Sequence, residues 1–240
     1  MAFSDKPLTL NQKVSIPLPI SMQIIFEDYY LLVLNKPAGL STESGTHKHP
    51  SAETEALMYF TNSLNENSSS KRLKPTPYLR SVHRLDRASS GVLVFAKTKA
   101  ALTHLMGQFE RRETEKTYRT VVEKAPAAET GTLKHFLKKS EDGKRAIIAD
   151  TQVKGSQPCE LSYTVLKMIG KQAELEIRPV TGRFHQIRAQ LAHIGCPVVG
   201  DVAYGGKPLK EHEIMLHAER LKIVHPKTEE SIVFEVAPAW

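Results

Sequence analysis

The sequence predicts an α+β fold carrying a large, mainly antiparallel sheet, and three observations lead there. Short alternating or β-branched segments outnumber segments of helical period. Most of them follow one another through turn-sized gaps. No internal repeat or heptad run is present. The chain has 240 residues, of which 40% are apolar and 25% charged, the mix of an ordinary globular protein. At this length roughly 70–75% of the unfolded surface can be buried, so a core forms without staples.

The elements follow in order. Residues 1–22 hold Pro7, Pro17 and Pro19 outside any periodic apolar pattern and are expected to form an extended arm. Gln23 to Phe26 and Tyr30 to Asn35 are expected as two short strands around Glu27-Asp28, and Lys36-Pro37-Ala38-Gly39 as a turn. Ser51 to Leu64 has helical spacing, with Ala52, Ala56, Leu57 and Phe60 on one side. The polar, Ser-rich stretch 65–77 is expected to be a long loop. Gly91 to Ala96 is a buried strand by length and branching. Thr98 can cap a following helix whose inner face is Leu102, Leu105, Met106 and Phe109. Lys116 to Val122 returns to strand, and Glu160 to Met168 with Gln172 to Pro179 make a hairpin. Arg183 to Ile194 is expected as a helix starting near Thr181-Gly182, with Ile187, Leu191 and Ile194 inward and Gly195 just past its end. Ala218 to Val224 and Ser231 to Val236 close the sheet.

Composition excludes several classes. The longest apolar runs, such as Tyr29 to Leu34, fall far short of the ~20 residues a bilayer span needs. Pro17 and Pro19 interrupt any signal-peptide core, and two cysteines, Cys159 and Cys196, make no disulfide framework. A reducing, cytoplasmic setting is expected. Neither a Gly-rich dinucleotide or phosphate loop nor a nucleophile elbow occurs. His212 and His217 are five apart, one too many for a zincin pair, and His47 and His49 flank Lys48 in a loop, so no metal site is expected. The 33 Lys+Arg against 26 Asp+Glu leave a net charge of +7, which suits a polyanionic partner.

That charge is concentrated. Lys71 to Arg87 carries six Lys/Arg against one acid, Asp86, within His83-Arg84-Leu85-Asp86-Arg87. Flanking guanidinium groups keep a carboxylate ionised, and an ionised, oriented carboxylate serves as nucleophile or base. A surface ion pair at a strand start is the plainer reading of the same residues. In a second stretch, RPVTGRFHQIR, Arg178, Arg183, His185 and Arg188 accompany no acid. In the third, Lys116 and Tyr118 share one strand face.

Together and in this order, these segments resemble the RluA-type RNA pseudouridine synthases. The match runs from Asn35-Lys36-Pro37-Ala38-Gly39 through His83-Arg84-Leu85-Asp86, Ser90-Gly91 and Lys116-x-Tyr118. It continues in Thr181-Gly182-Arg183-x-His185-Gln186-x-Arg188, Gly200-Asp201, Tyr204-Gly205 and Leu216-His217-Ala218, and ends at Phe234-x-x-Ala237-Pro238. The resemblance implies a mixed sheet in two halves with a central catalytic cleft and residues 23–240 as one catalytic domain; the first 22 residues are expected to be too short and Pro-interrupted for the S4 RNA-binding domain that many relatives carry. It implies isomerisation of uridine to pseudouridine in structured RNA, transfer RNA or large-subunit ribosomal RNA, without cofactor or metal. Asp86 is then the catalytic aspartate, Tyr118 lies against the target base, and Arg183 pairs with the aspartate. Arg84 helps hold out the flipped nucleotide, and His83, Arg87, Lys116, His185, Gln186 and Arg188 are expected to contact substrate RNA. Ser89 stands where the family usually has Thr, and Phe184 where a small polar residue is common, at the expected pocket rim.

The chemistry suits one carboxylate, because uracil leaves as a delocalised anion and needs less acid assistance than the alkoxide that a glycosidase expels with two. The target base must leave its stack, at a cost of a few kcal/mol. Competing readings are a non-catalytic RNA-binding or ribosome-assembly protein on the same scaffold, and a base-cleaving glycosylase. A monomer without an obligate protein partner is the expected state.

Overall fold

The computed structural model describes residues 22–44, 50–66, 77–210 and 213–240. Residues 1–21 of the expected arm, most of the 65–77 loop, and His47, His49 and His212 lie outside them. The order is β1 (Gln23–Glu27), β2 (Leu31–Lys36), α1 (Ala52–Glu66), β3 (Arg80–Ser81), β4 (Ser90–Ala96), α2 (Lys99–Glu110) and β5 (Glu115–Val122). Then come β6 (Thr130–Lys139), β7 (Ala146–Ala149), β8 (Gln157–Ile169), β9 (Gln172–Pro179), α3 (Gln186–His193), β10 (Leu216–Val224) and β11 (Ser231–Glu235).

Among the described residues all eleven strands join one sheet, ordered β1-β2-β4-β10-β5-β9-β8-β6-β7, with β11 beside β10 and β3 beside β4. Every pairing is antiparallel except β4 with β10, which meet through only His217–Ser90 and Ala218–Gly91. This short parallel seam divides the sheet into the expected halves. Gly91 makes it possible: its φ is +117°, and a Cβ there would lie 2.3 Å from the Ala218 carbonyl oxygen, so only glycine fits.

Alternation explains the core of the first half. Along β2, Leu31 and Val33 join one apolar cluster while Leu32 and Leu34 join another. Along β4, Val92 and Val94 go to the first cluster and Leu93 and Phe95 to the second. One face is covered by α2 through Ala101 and Leu105, the other by α1 through Ala52, Ala56 and Tyr59. Both strands are therefore buried on both faces and read as continuous apolar runs. Met22, counted with the arm, is buried in the second cluster.

Thr98 caps α2 as expected, accepting from the Ala101 amide. Met106, expected on its inner face, is 45% exposed. The β6–β7 hairpin was not anticipated. Its strand β6 is largely exposed, with Lys and His between its apolar residues, so the burial that would sharpen a period of two is weak. The helix α3 starts at Gln186, later than expected. His185 before it adopts a left-handed backbone (φ +50°), and Arg183 to Gln186 form a turn closed by the Gln186 amide on the Arg183 carbonyl (3.1 Å). No described helix is long and apolar enough to cross a membrane.

Candidate active site

Asp86 lies on the loop entering β4, and backbone bonds clamp it on both sides. The Thr42 hydroxyl accepts from the Leu85 amide (3.0 Å) and donates to the Leu85 carbonyl (2.9 Å). The Gly39 amide donates to the Arg87 carbonyl (2.8 Å), and the Arg87 guanidinium donates back to the Gly39 carbonyl (2.9 Å). The fully buried Lys36 amine lies behind, donating to the carbonyls of Pro37 (2.8 Å), Leu40 (2.7 Å) and Arg87 (3.5 Å). Burial pushes the Lys36 pKa down to about 7, against the pull of the nearby Asp86 charge. The Asn35-to-Gly39 motif thus acts as a bracket for the aspartate.

The group paired with Asp86 is Arg188, not Arg183. Arg188 Nη1 lies 3.1 Å from Asp86 Oδ2. Its Nε and Nη2 make a two-pronged bond to Asp201, at 2.6 and 2.8 Å. Arg188 and Asp201 are both buried, and Tyr204 stacks on the guanidinium at 5.0 Å. Burial opposes the arginine charge, but the bonds and charges of Asp201 and Asp86 outweigh it and hold its pKa above the ordinary value. Arg183 instead sits in the turn before α3, half-buried, with Nε 3.4 Å from the Pro158 carbonyl. The late start of α3 is the reason: it aims Arg188 inward from the first turn and leaves Arg183 outside it.

A cavity of about 100 Å³ opens at Asp86, lined among others by Leu85, Ser89, Tyr118, Ile187, Arg188 and Leu216. That is well below the ~300 Å³ of the smallest drug-sized sites, so it suits a single base and not a whole nucleotide. Tyr118 reaches it from β5. Burial first, and then the Asp86 charge, raise the Tyr118 pKa, so the phenol stays protonated. Lys116, two residues along the same strand face, lines the cavity as well, its pKa lowered by burial and by Arg112. Lys116, Thr181, Gly182 and Arg183 continue into a wider groove of about 670 Å³ that also contains Arg112, Arg178 and Arg220.

Other expected substrate contacts divide. Arg84 lines the cavity and is exposed, 3.8 Å from Glu43. His185 lies 3.9 Å from Asp86 and 3.1 Å from the Tyr204 hydroxyl. Burial lowers its pKa, with Asp86 pulling the other way. Gln186 borders the cavity but is buried, its Oε1 accepting from the Thr181 hydroxyl (2.7 Å) and the Arg183 amide (2.9 Å), which fixes the turn. His83 is not brought to the cavity. Its Nε2 accepts from the Val94 amide (3.2 Å), its ring stacks on Phe109, and burial, then Lys116, push its pKa down to about 3, so it braces the loop as a neutral ring. Arg87 also points elsewhere, to Gly39. Phe184, expected at the rim, packs against His185 and the cluster around Leu137 and Cys159. Lys36 and Asp201 were missed as supports, although both fall in quoted motifs; an acid after Gly200 with arginines upstream was the available signal.

Comparison with known proteins points to one family. The profile of the RNA pseudouridylate synthase family matches residues 30–193. The chain is 33% identical over 239 residues to the ribosomal large subunit pseudouridine synthase C of Buchnera aphidicola, covering 96% of this chain and 70% of that protein. It is 33% identical over 238 residues to the tRNA pseudouridine synthase C of Vibrio parahaemolyticus, covering 91% of each. The fold matches the solved structure of human RNA Pseudouridylate Synthase Domain Containing 1 with a TM-score of 0.72 at 24% identity, over 91% of this chain and 84% of the other.

Proposed function

The chain belongs to the RNA pseudouridylate synthase family and isomerises uridine in RNA to pseudouridine, and from that premise we propose that Asp86 carries out the reaction on a uridine of transfer RNA or large-subunit ribosomal RNA. The observation that carries the assignment is the chain of contacts Asp86–Arg188–Asp201 at the mouth of a base-sized cavity.

The uridine is flipped out of its stack into the cavity. Arg188 holds and aims Asp86, since its guanidinium is fixed on the far side by Asp201. The N1–C1′ bond then breaks, and the Asp86 carboxylate either attacks C1′ or removes the 2′ proton. Both routes require the charged form. The uracil turns and C5 bonds to C1′ as the Asp86–C1′ bond breaks or, on the second route, as Asp86 returns the proton to C2′; C5 then loses its proton and N1 takes one up. Leu85, Ile187 and Leu216 supply the apolar part of the cavity wall, and a base seated against them leaves less room for the water that would otherwise leave an abasic site. Tyr118 lies against the base, its phenol favoured in the protonated form by burial and by the Asp86 charge. Arg84 stands at the rim, where it can occupy the space the base has left. Lys116, Arg112, Arg178 and Arg183 supply phosphate contacts along the wider groove. We also propose that the chain works in the cytoplasm on such RNAs, as a monomer.

Tritium release from RNA labelled at C5 of uridine tests the reading. Asp86→Asn is expected to retain RNA binding and the fold while release drops to background. Undiminished release would overturn the role of Asp86. Mapping pseudouridine in the RNA of cells lacking the protein identifies the target.

A further inference from the structure

We propose that His135, Asp150 and His193 form a binding site for a first-row transition-metal ion, best suited to Zn²⁺, remote from the Asp86 cavity. The three come from separate elements: His135 from β6, Asp150 from just after β7, and His193 from the last turn of α3. One ligand atom from each lies within 4.8 Å of the other two. His193 Nε2 is 2.9 Å and His135 Nε2 3.9 Å from Asp150 Oδ1, and the two rings meet edge to face with centroids 4.9 Å apart. At metal–ligand bonds of about 2.0–2.2 Å, donors around a tetrahedral ion stand roughly 3–3.5 Å apart, so the cluster needs only small side-chain movements. Two imidazoles and one carboxylate are the donors of a borderline ion and disfavour Mg²⁺ or Ca²⁺, which take oxygen ligands. None of the three lines the Asp86 cavity, so the reaction makes no use of them.

A second observation points the same way. Gln190 is fully buried beside the cluster, its Nε2 3.1 Å from His135 Nδ1, while its Oε1 is buried with no hydrogen-bond partner. A metal on His135 Nε2 leaves the ring proton on Nδ1. A half-turn of the Gln190 amide then brings the unpartnered oxygen to accept that proton, at the expense of the Nε2 bonds to the Leu133 and Cys159 carbonyls. Asp150 is 77% exposed, so an ion reaches the site from solvent and water can fill the fourth position. A bound ion would tie the β6–β7 hairpin to the end of the helix that carries Arg188.

The test uses the full chain, stripped with chelator, and adds Zn²⁺ or Co²⁺ alone. One equivalent of Zn²⁺ is expected to bind and to raise the melting temperature, and Co²⁺ to give visible bands of a four- or five-coordinate nitrogen–oxygen site. Asp150→Asn and His193→Ala, both at accessible side chains, are each expected to weaken Zn²⁺ binding by about tenfold or more and to remove the thermal shift. No uptake of Zn²⁺ overturns the proposal. So does uptake that both variants leave unchanged, which would assign the ion to other histidines of the chain.

Discussion

Two sets of cations surround the candidate active site, and they differ in what holds them. The inner set, Arg188 and Lys36, is buried and bonded in fixed directions: Arg188 between Asp86 and Asp201, Lys36 among three carbonyl oxygens. The outer set lies nearer the surface, Arg84 and Arg178 exposed and Arg183 half-buried, with at most one or two partners each. Desolvation makes the inner charges costly unless paired, so they serve as fixed parts that aim a carboxylate. The outer charges stay hydrated and movable, which suits phosphates whose positions differ between substrates. Removing an inner cation should therefore damage turnover, and removing an outer one should damage affinity.

The largest effect is expected from Arg188→Ala. It leaves Asp201 buried without its partner, at a cost of about 3–5 kcal/mol of stability, and frees Asp86. Turnover should fall by about a hundredfold or more, as misplacement of a reacting group by an ångström does. Because that variant can unfold, Arg188→Lys is the companion: it keeps the charge but loses the two-pronged bond, and should fold while remaining strongly impaired. Near-normal turnover in folded Arg188→Lys would show that geometry at Asp86 does not depend on the fork.

Lys36→Met comes next. The carbonyls of Pro37 and Leu40 lose their donor, the bracket around Asp86 loosens, and turnover should fall by about tenfold with RNA affinity kept. The stability of the same pair of proteins has a pH signature. Burial lowers the Lys36 pKa from 10.5 to about 7, so between those values the unfolded chain holds a proton that the folded chain lacks. Stability from this group is therefore complete above about pH 10.5 and lost as pH falls through about 7. Denaturation across that window should show the wild type gaining on Lys36→Met as pH rises; a constant difference would mean that Lys36 does not titrate there.

The division between inner and outer cations was only partly legible in the sequence. The strands β2, β4, β5, β8, β9 and β10 were readable because burial on one or both faces leaves a strong apolar pattern, and Asp86 stood out as the lone acid in a basic run. Choosing between Arg183 and Arg188 was not possible from spacing. That choice depends on where α3 begins, which is set by Thr181, Gln186 and the Glu160 carbonyl, bonded across 21 to 26 residues. A local helical pattern from Arg183 onward yields to those longer-range bonds. His83 misled for a related reason: a polar residue beside a catalytic motif reads as a contact, yet its ring serves the backbone of β4.

Arg183→Ala gives the smallest effect and separates the two sets most cleanly. Arg183 lines both the cavity and the wider groove but holds no carboxylate, so Asp86 should keep its position without it. RNA binding should weaken, and the slope of log affinity against log salt should drop by about one as one phosphate contact is lost. Turnover of bound RNA, measured by single-turnover tritium release at saturating protein, should stay at the wild-type rate. If turnover instead falls as in Arg188→Lys while affinity and salt slope hold, Arg183 reaches the reacting atoms once RNA is bound, and exposure in the free protein is the wrong criterion for sorting these cations.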